Sequence, residues 1–294
     1  MNSHSFFFWR FDLTQACKIW HNAGHFYART LHLLMKRFLI FFFTLFSSNQ
    51  LSAENLDLFI MAGQSNMQGW RSDAAQYPKD PKGLDMQIPF FYKALHYGST
   101  GNKWETLKPQ PGHFRTGHFG PEVSFARAVL NAGYNPAIFK YSSGSSSLKT
   151  DWKGPGKKGL YDDMVKNIKT AIKELEAQGD TVTPRAIVWI QGESDADSDV
   201  LAKEYYWHLK KMLQHLRTNI IKNPTLPVIL SLDEQHPRVQ LRPQVVEAQK
   251  KLAAEDKTIT FFSMRGLEKY DATHLTARGT ILQGKRMFGA YKTL

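Results

Sequence analysis

Cysteine is nearly absent from this chain: among 294 residues, Cys17 is the only one. Its isolation excludes a disulfide framework and, outside the first fifty residues, a thiolate nucleophile or a cysteine metal site. Long apolar runs are missing too. The most apolar stretch, Phe38 to Phe46, is nine residues long and too short to span a bilayer. No His-Glu-x-x-His pattern or calcium loop occurs, and His113 and His118 have no acidic partner at metal spacing, so no metal is expected. Lysines and arginines come in scattered pairs such as Lys157-Lys158, Lys210-Lys211 and Lys250-Lys251, never in a run interleaved with aromatics, which argues against a nucleic-acid partner. Internal repeats and low-complexity tracts are also lacking.

What is present begins with a leader pattern. Lys36-Arg37, the apolar core 38–46 and a polar stretch ending in Ser52-Ala53 read as a secretory signal peptide with cleavage after Ala53. Residues 1–34 sit awkwardly upstream of it, and translation is expected to start at Met35. The remainder, 54–294, suits one domain with a sizeable core, exported to the periplasm or the medium, without stable membrane insertion once the leader is removed. The formal net charge of +12 falls to +8 when the five cations and one anion of 1–53 are set aside, a balance that favours a polyanionic substrate or surface. Nothing in the sequence marks an oligomer interface.

Periodicity predicts strands over 58–62, 137–141, 186–190, 227–232 and 258–263, separated by helices over 121–131, 160–178, 202–221, 245–255 and 276–291. Pro121 at the first turn and Gly133 just past the end bracket the first of these helices. Strands alternating with helices imply parallel pairing, hence an α/β fold: a three-layer α/β/α sandwich around a five-stranded parallel sheet. The stretch 70–120 shows no clear period and is expected to be irregular, forming one wall of a cleft. Within it Trp70, Tyr92 and Trp104 suit either stacking on a sugar ring or packing in a satellite core.

Two glycine-rich patterns are set aside. Gly154-Pro155-Gly156-Lys157-Lys158-Gly159 follows a polar segment rather than a strand, and Gly279 to Lys285 lies inside the last helix with Arg286 where a phosphate loop needs Ser or Thr. No nucleotide or other cofactor is expected. The predicted strand ends carry the chemistry instead. Strand 58–62 runs into Gly63-Gln64-Ser65-Asn66-Met67, which suits a nucleophile at Ser65 or an ordinary turn, and which is not the G-x-S-x-G elbow. Strand 137–141 runs into Ser142-Ser143-Gly144-Ser145-Ser146-Ser147, and strand 186–190 into Gln191-Gly192-Glu193-Ser194-Asp195. After the last strand comes Asp271-Ala272-Thr273-His274, where a carboxylate three residues before a histidine can orient one ring nitrogen and leave the other for a serine. In a parallel sheet all these ends open on one edge, so Ser65, Gly144, Gln191, Asp271 and His274 should converge.

Together the GQSNM block at 63–67, the Gly/Ser turn followed by Trp152, WIQGESDAD at 189–197, DATHLTARG at 271–279 and FGPEVSFA at 119–126 resemble the carbohydrate acetylesterases of the SGNH hydrolase superfamily, which include acetylxylan esterases and sialate O-acetylesterases. The resemblance covers essentially all of 54–294. It implies a flavodoxin-like fold and metal-independent hydrolysis of O-acetyl esters on a carbohydrate. By motif, it implies Ser65 as nucleophile, His274 as general base, Asp271 as its orienting acid, and an oxyanion hole from the Ser65 and Gly144 amides with the Gln191 side chain. Glu193 competes with Asp271 for the histidine, and Ser145 with Gly144 for the amide. The alternatives to this activity are a lipase-like acyl hydrolase of the same superfamily and a non-catalytic glycan-binding protein.

Overall fold

In the computed structural model, which describes residues 53–294, every residue of the first strand after Asn55 is buried. A strand covered on both faces needs apolar side chains at odd and even positions alike, and LFIMAG supplies them. Leu56, Leu58, Ile60 and Ala62 enter one apolar cluster, while Phe59 and Met61 enter another on the opposite face. The leader expectations, including the signal core and the start at Met35, lie outside the described residues.

The strands are β1 (Asn55–Gly63), β2 (Pro89–Ala94), β3 (Gly98–Ser99), β4 (Glu105–Thr106), β5 (Pro136–Ser142), β6 (Thr181–Ile190), β7 (Val228–Leu232) and β8 (Ile259–Ser263). The helices are α1 (Ser65–Gln68), α2 (Glu122–Asn131), α3 (Leu160–Ala177), α4 (Asp199–His215), α5 (Pro237–Leu241), α6 (Gln244–Glu255) and α7 (Ala277–Tyr291). All five strands expected from periodicity form, in the order β5-β1-β6-β7-β8 with every pairing parallel. Where β6 pairs with β1, the register shifts between Leu58 and Phe59, beside Pro184. Proline cannot donate to a ladder, so the irregularity falls where β6 carries one.

The expected five-stranded parallel sheet is too small. The sheet has eight strands and is mixed: β2 pairs parallel with β5, and β3 and β4 pair antiparallel with β2. All three additions come from 70–120, the stretch that shows no clear period. Strand β2 is hidden there because Pro89 opens it and Lys93 interrupts its apolar run, while Phe90, Phe91, Tyr92 and Ala94 are buried. Tyr92 stacks on Phe90, and the Trp104 indole N–H donates to the Ala171 carbonyl at 2.8 Å. These two aromatics therefore belong to the core.

Helices cover both faces of the sheet. Residues of α3, α4 and α6 join the cluster of Leu58 and Ile60, and residues of α2 and α7 join that of Phe59 and Met61. The expected helix 202–221 is α4 plus a more widely wound turn, Leu216–Ile221. The segment 154–159 is a loop and 279–285 lies within α7, so neither glycine pattern follows a strand. No helix among the described residues is long and apolar enough to cross a membrane.

Counted along the five long parallel strands, the order is 2-1-3-4-5, which reverses direction between β1 and β6. Ligands of open α/β sheets lie outside the strand ends at that reversal. Gly63 brings those ends together. A Cβ there would come within 2.0 Å of the Ile190 carbonyl oxygen, so only glycine lets Gln64 N–H reach that carbonyl at 2.9 Å.

Candidate active site

Ser65 is the first residue of α1, a single turn that starts as soon as β1 ends. No protein group among the described residues accepts the Ser65 N–H, as expected for the first amide of a helix. Its hydroxyl has no hydrogen bond there either. The next residue does the tying. The Asn66 amide donates to the Thr273 carbonyl at 3.0 Å and to Glu193 Oε1 at 3.2 Å, and its oxygen accepts the Leu275 N–H at 3.2 Å. It thus grips the residues on both sides of His274 and holds that histidine to the serine turn.

The loop carrying His274 is closed at its base by a bridge between Lys269 and Leu275. At its tip Asp271 Oδ1 accepts the backbone N–H of Thr273 at 2.8 Å and of His274 at 2.7 Å, a turn typical of aspartate. The same carboxylate meets His274 Nδ1, at 2.9 Å through Oδ2. Partial burial works to raise the Asp271 pKa, but hydrogen bonds from the His274 ring, these two amides and the Thr273 hydroxyl outweigh it and hold the carboxyl well below its ordinary range. With Nδ1 facing an anion, the neutral ring carries its proton there and leaves Nε2 as the acceptor.

Glu193 stands elsewhere. It is buried, makes no hydrogen bond to His274 and reaches the site through Asn66. Burial, reinforced by the charge of Asp233, pushes its carboxyl up. Asp233 pairs in turn with Lys269 at 3.3 Å.

The Gly/Ser turn after β5 is pinned from below. Ser143 N–H donates to the Gly63 carbonyl at 3.0 Å, and the Trp152 indole to Ser146 Oγ at 2.9 Å. Gly144 sits against the serine: a Cβ on it would lie 3.9 Å from Ser65 Cβ. No protein group among the described residues accepts the N–H of Gly144 or of Ser145. Gln191 differs from expectation. Its amide nitrogen donates to the Ser146 carbonyl at 2.8 Å and to Asp195 at 2.5 Å, so both its N–H groups are committed within the protein and neither is free for an oxyanion. Its neighbour Asp195 also accepts the Leu148 N–H, yet burial pushes that carboxyl up to about 7.

Sequence reasoning misses several participants. Asn66 lies inside the motif but reads locally as a turn residue. Arg71 reaches Asp271 at 3.6 Å and lies over the Tyr270 ring, with its Nη1 2.5 Å from His113 Nε2. Trp70, beside it, packs against Tyr97 and His113. His236 is buried near the pair, and that burial, with Lys269 and Arg238 close by, lowers its pKa to about 4. Both Asp233 and His236 follow β7, so the strand-end rule applied to that strand finds them. Among the described residues, no three His, Cys, Asp or Glu are grouped to hold a metal ion.

A family profile described as "Carbohydrate esterase, sialic acid-specific acetylesterase" matches residues 55–293. Among solved structures, a protein from Arabidopsis thaliana is similar over 82% of this chain and 98% of its own, with a TM-score of 0.63 at 24% identity. NanS is similar over 82% and 98%, with a TM-score of 0.62 at 14% identity. A carbohydrate acetylesterase from Xanthomonas citri is similar over 80% of this chain and 55% of its own, with a TM-score of 0.55 at 20% identity. No curated protein matches the sequence.

Proposed function

Because the chain belongs to the carbohydrate esterase family of sialic acid-specific acetylesterases, and so hydrolyses O-acetyl esters on carbohydrates, we propose that Ser65 is its nucleophile, His274 its general base and Asp271 the acid that orients the base. The observation that carries this assignment is the grip of Asn66 on Thr273 and Leu275, which ties the Asp271–His274 pair to the turn of Ser65. His274 Nε2 takes the Ser65 proton as Oγ attacks the acetyl carbonyl carbon. The oxyanion that forms is met by the N–H groups of Ser65 and Gly144, aimed before the reaction starts. When the tetrahedral species collapses, the bond to the sugar oxygen breaks and that oxygen receives the proton from His274. Water, deprotonated by the same ring, then attacks the acetyl-serine and releases acetate.

Gln191 acts in this reading as a brace for the turn 143–148, not as an oxyanion donor, because its N–H groups hold Ser146 and Asp195. The fold is assigned to the flavodoxin-like SGNH type on its strand order and on the placement of the serine beside the reversal. We further assign 35–53 to an export signal, which places the enzyme in the periplasm or the medium; N-terminal sequencing of exported protein tests the cut after Ala53.

Ser65→Ala is expected to lower kcat for nitrophenyl acetate by roughly 10⁴–10⁶ and to abolish acetyl-enzyme detectable by mass spectrometry. Near-normal turnover by this variant would overturn the assignment.

A further inference from the structure

Six non-glycine residues among those described have φ between +52° and +72°: His96, Asn102, Ser145, Lys153, Lys158 and Lys222. Side chains bearing a Cβ are disfavoured in that region, and where they persist the surroundings or a function hold them there. Four of the six, His96, Ser145, Lys153 and Lys158, line a single open cleft of about 380 Å³ that also contains Gly144, the neighbour of Ser65. These four residues thus share one cleft, whose wall reaches Gly144.

The lysines of this cleft belong to the loop 153–159, the glycine-rich segment that holds no nucleotide motif. The loop is firmly held: N–H groups of Gly156 and Lys158 donate to Asp162 at 2.9 and 2.7 Å. Asp162 is thereby turned to backbone. Asp151, the acid in the cleft wall, is exposed, and its Oδ2 accepts from Ser147 N–H and the Thr150 hydroxyl at 2.8 Å each. Among the described residues no carboxylate lies within ion-pair distance of Lys153, Lys157, Lys158 or Lys211.

Lys153 also lines a second cavity of about 260 Å³, together with Lys157, Lys211, His208 and Trp207. Trp207 sits on α4 with 66% of its surface exposed. Glu204 is the nearby acid, and it is engaged with Lys149 at 2.7 Å and His208 at 3.5 Å. An exposed indole face beside three uncompensated ammonium groups offers stacking for a sugar ring and charge for its carboxylates.

We propose that the enzyme binds a chain of carboxylated sugars, one unit in the cleft beside Gly144 and following units running over Lys153 to stack on Trp207. This rests on the esterase reading for the direction of the chain, but binding itself does not require catalysis. The test is calorimetric titration of the wild-type enzyme with a galacturonic acid hexamer, an α2,8-linked sialic acid tetramer, galacturonic acid monomer and a neutral xylose hexamer. At least one carboxylated oligomer should bind roughly tenfold or more tightly than both the monomer and the neutral hexamer, and should weaken as salt is raised, because the lysines are exposed. Trp207→Ala and Lys153→Ala, each checked for folding by thermal melting, should each weaken that binding roughly tenfold. The proposal is overturned if neither acidic oligomer outbinds the neutral hexamer, or if both variants bind like wild type. Hydrolysis of nitrophenyl acetate by the wild type, measured separately, reports on Ser65 alone, so failure of the chemistry and failure of this site give different results.

Discussion

At the scale of single residues, the amide of Asn66 decides the geometry. Its nitrogen donates to a carbonyl and a carboxylate while its oxygen accepts an N–H, so only one orientation of the amide satisfies all three partners. Glu193 accepts through Oε1, which holds the nitrogen side of the amide toward it. Asn66→Ala should release the loop 271–275 and lower kcat by roughly 10²-fold, with little change in KM, because a displacement of about 1 Å at the base is enough for such a loss. Stopped-flow measurement of the acetylation step checks it. The two acids are separated in the same way. Asp271→Asn removes the partner that sets the tautomer of His274 and should lower kcat by about 10⁴. Glu193→Gln acts on Asn66 and on the Asp233–Lys269 pair, not on His274 directly, and should cost far less; a larger loss for Glu193→Gln in a folded variant would reverse their roles.

Among elements, β5 supports the nucleophile from beneath. Lys140, 1% exposed, donates to the Gln68 carbonyl at the end of α1 at 3.0 Å and to Glu122 Oε2 at 2.8 Å. Glu122 Oε1 in turn accepts Gly120 N–H and the Gln110 amide. Removing one member of such a buried pair strands the other's charge. Lys140→Met should therefore destabilise the protein by about 3–5 kcal/mol, measured by urea unfolding, and should also loosen α1. None of this network is legible in the sequence, where Lys140 interrupts an apolar strand and Glu122 reads as a helix-starting acid. The five long strands are legible because burial on both faces forces near-continuous apolar runs such as 58–62 and 186–190. Strand β2 is not, since its pairing with β5 is a tertiary fact that six residues beginning with Pro89 do not announce. Local pattern likewise exposes Asp271 and His274, three residues apart, whereas the commitment of Gln191 to Ser146 depends on a contact 45 residues distant.

Across the whole molecule, one edge of the sheet collects carboxyl groups in opposite states. Asp271 is held ionised by its hydrogen bonds, whereas burial first of all raises Glu193, Asp195 and Asp233. These groups act in opposite directions on stability. A carboxyl with a depressed folded pKa, like Asp271, adds stability that is present above its unfolded pKa and lost as pH falls through the folded value. A raised one does the reverse. Asp195 has a folded pKa of about 7 against an ordinary 3.8, so between those values the folded protein keeps a proton that the unfolded chain has released. Its contribution is full below about pH 4 and disappears as pH rises through 7. Its full size is on the order of 4 kcal/mol, since a tenfold change in proton affinity between the folded and unfolded chain is worth about 1.4 kcal/mol, and about 3 kcal/mol of it is lost between pH 5 and pH 8. In Asp195→Asn the side chain cannot ionise and still accepts from Leu148. Urea unfolding at pH 5 and pH 8 should show the wild type losing stability relative to this variant by that order across the interval. Parallel pH dependence in the two proteins would mean that Asp195 is ionised in the fold, and that Gln191 holds an anion, not a protonated acid.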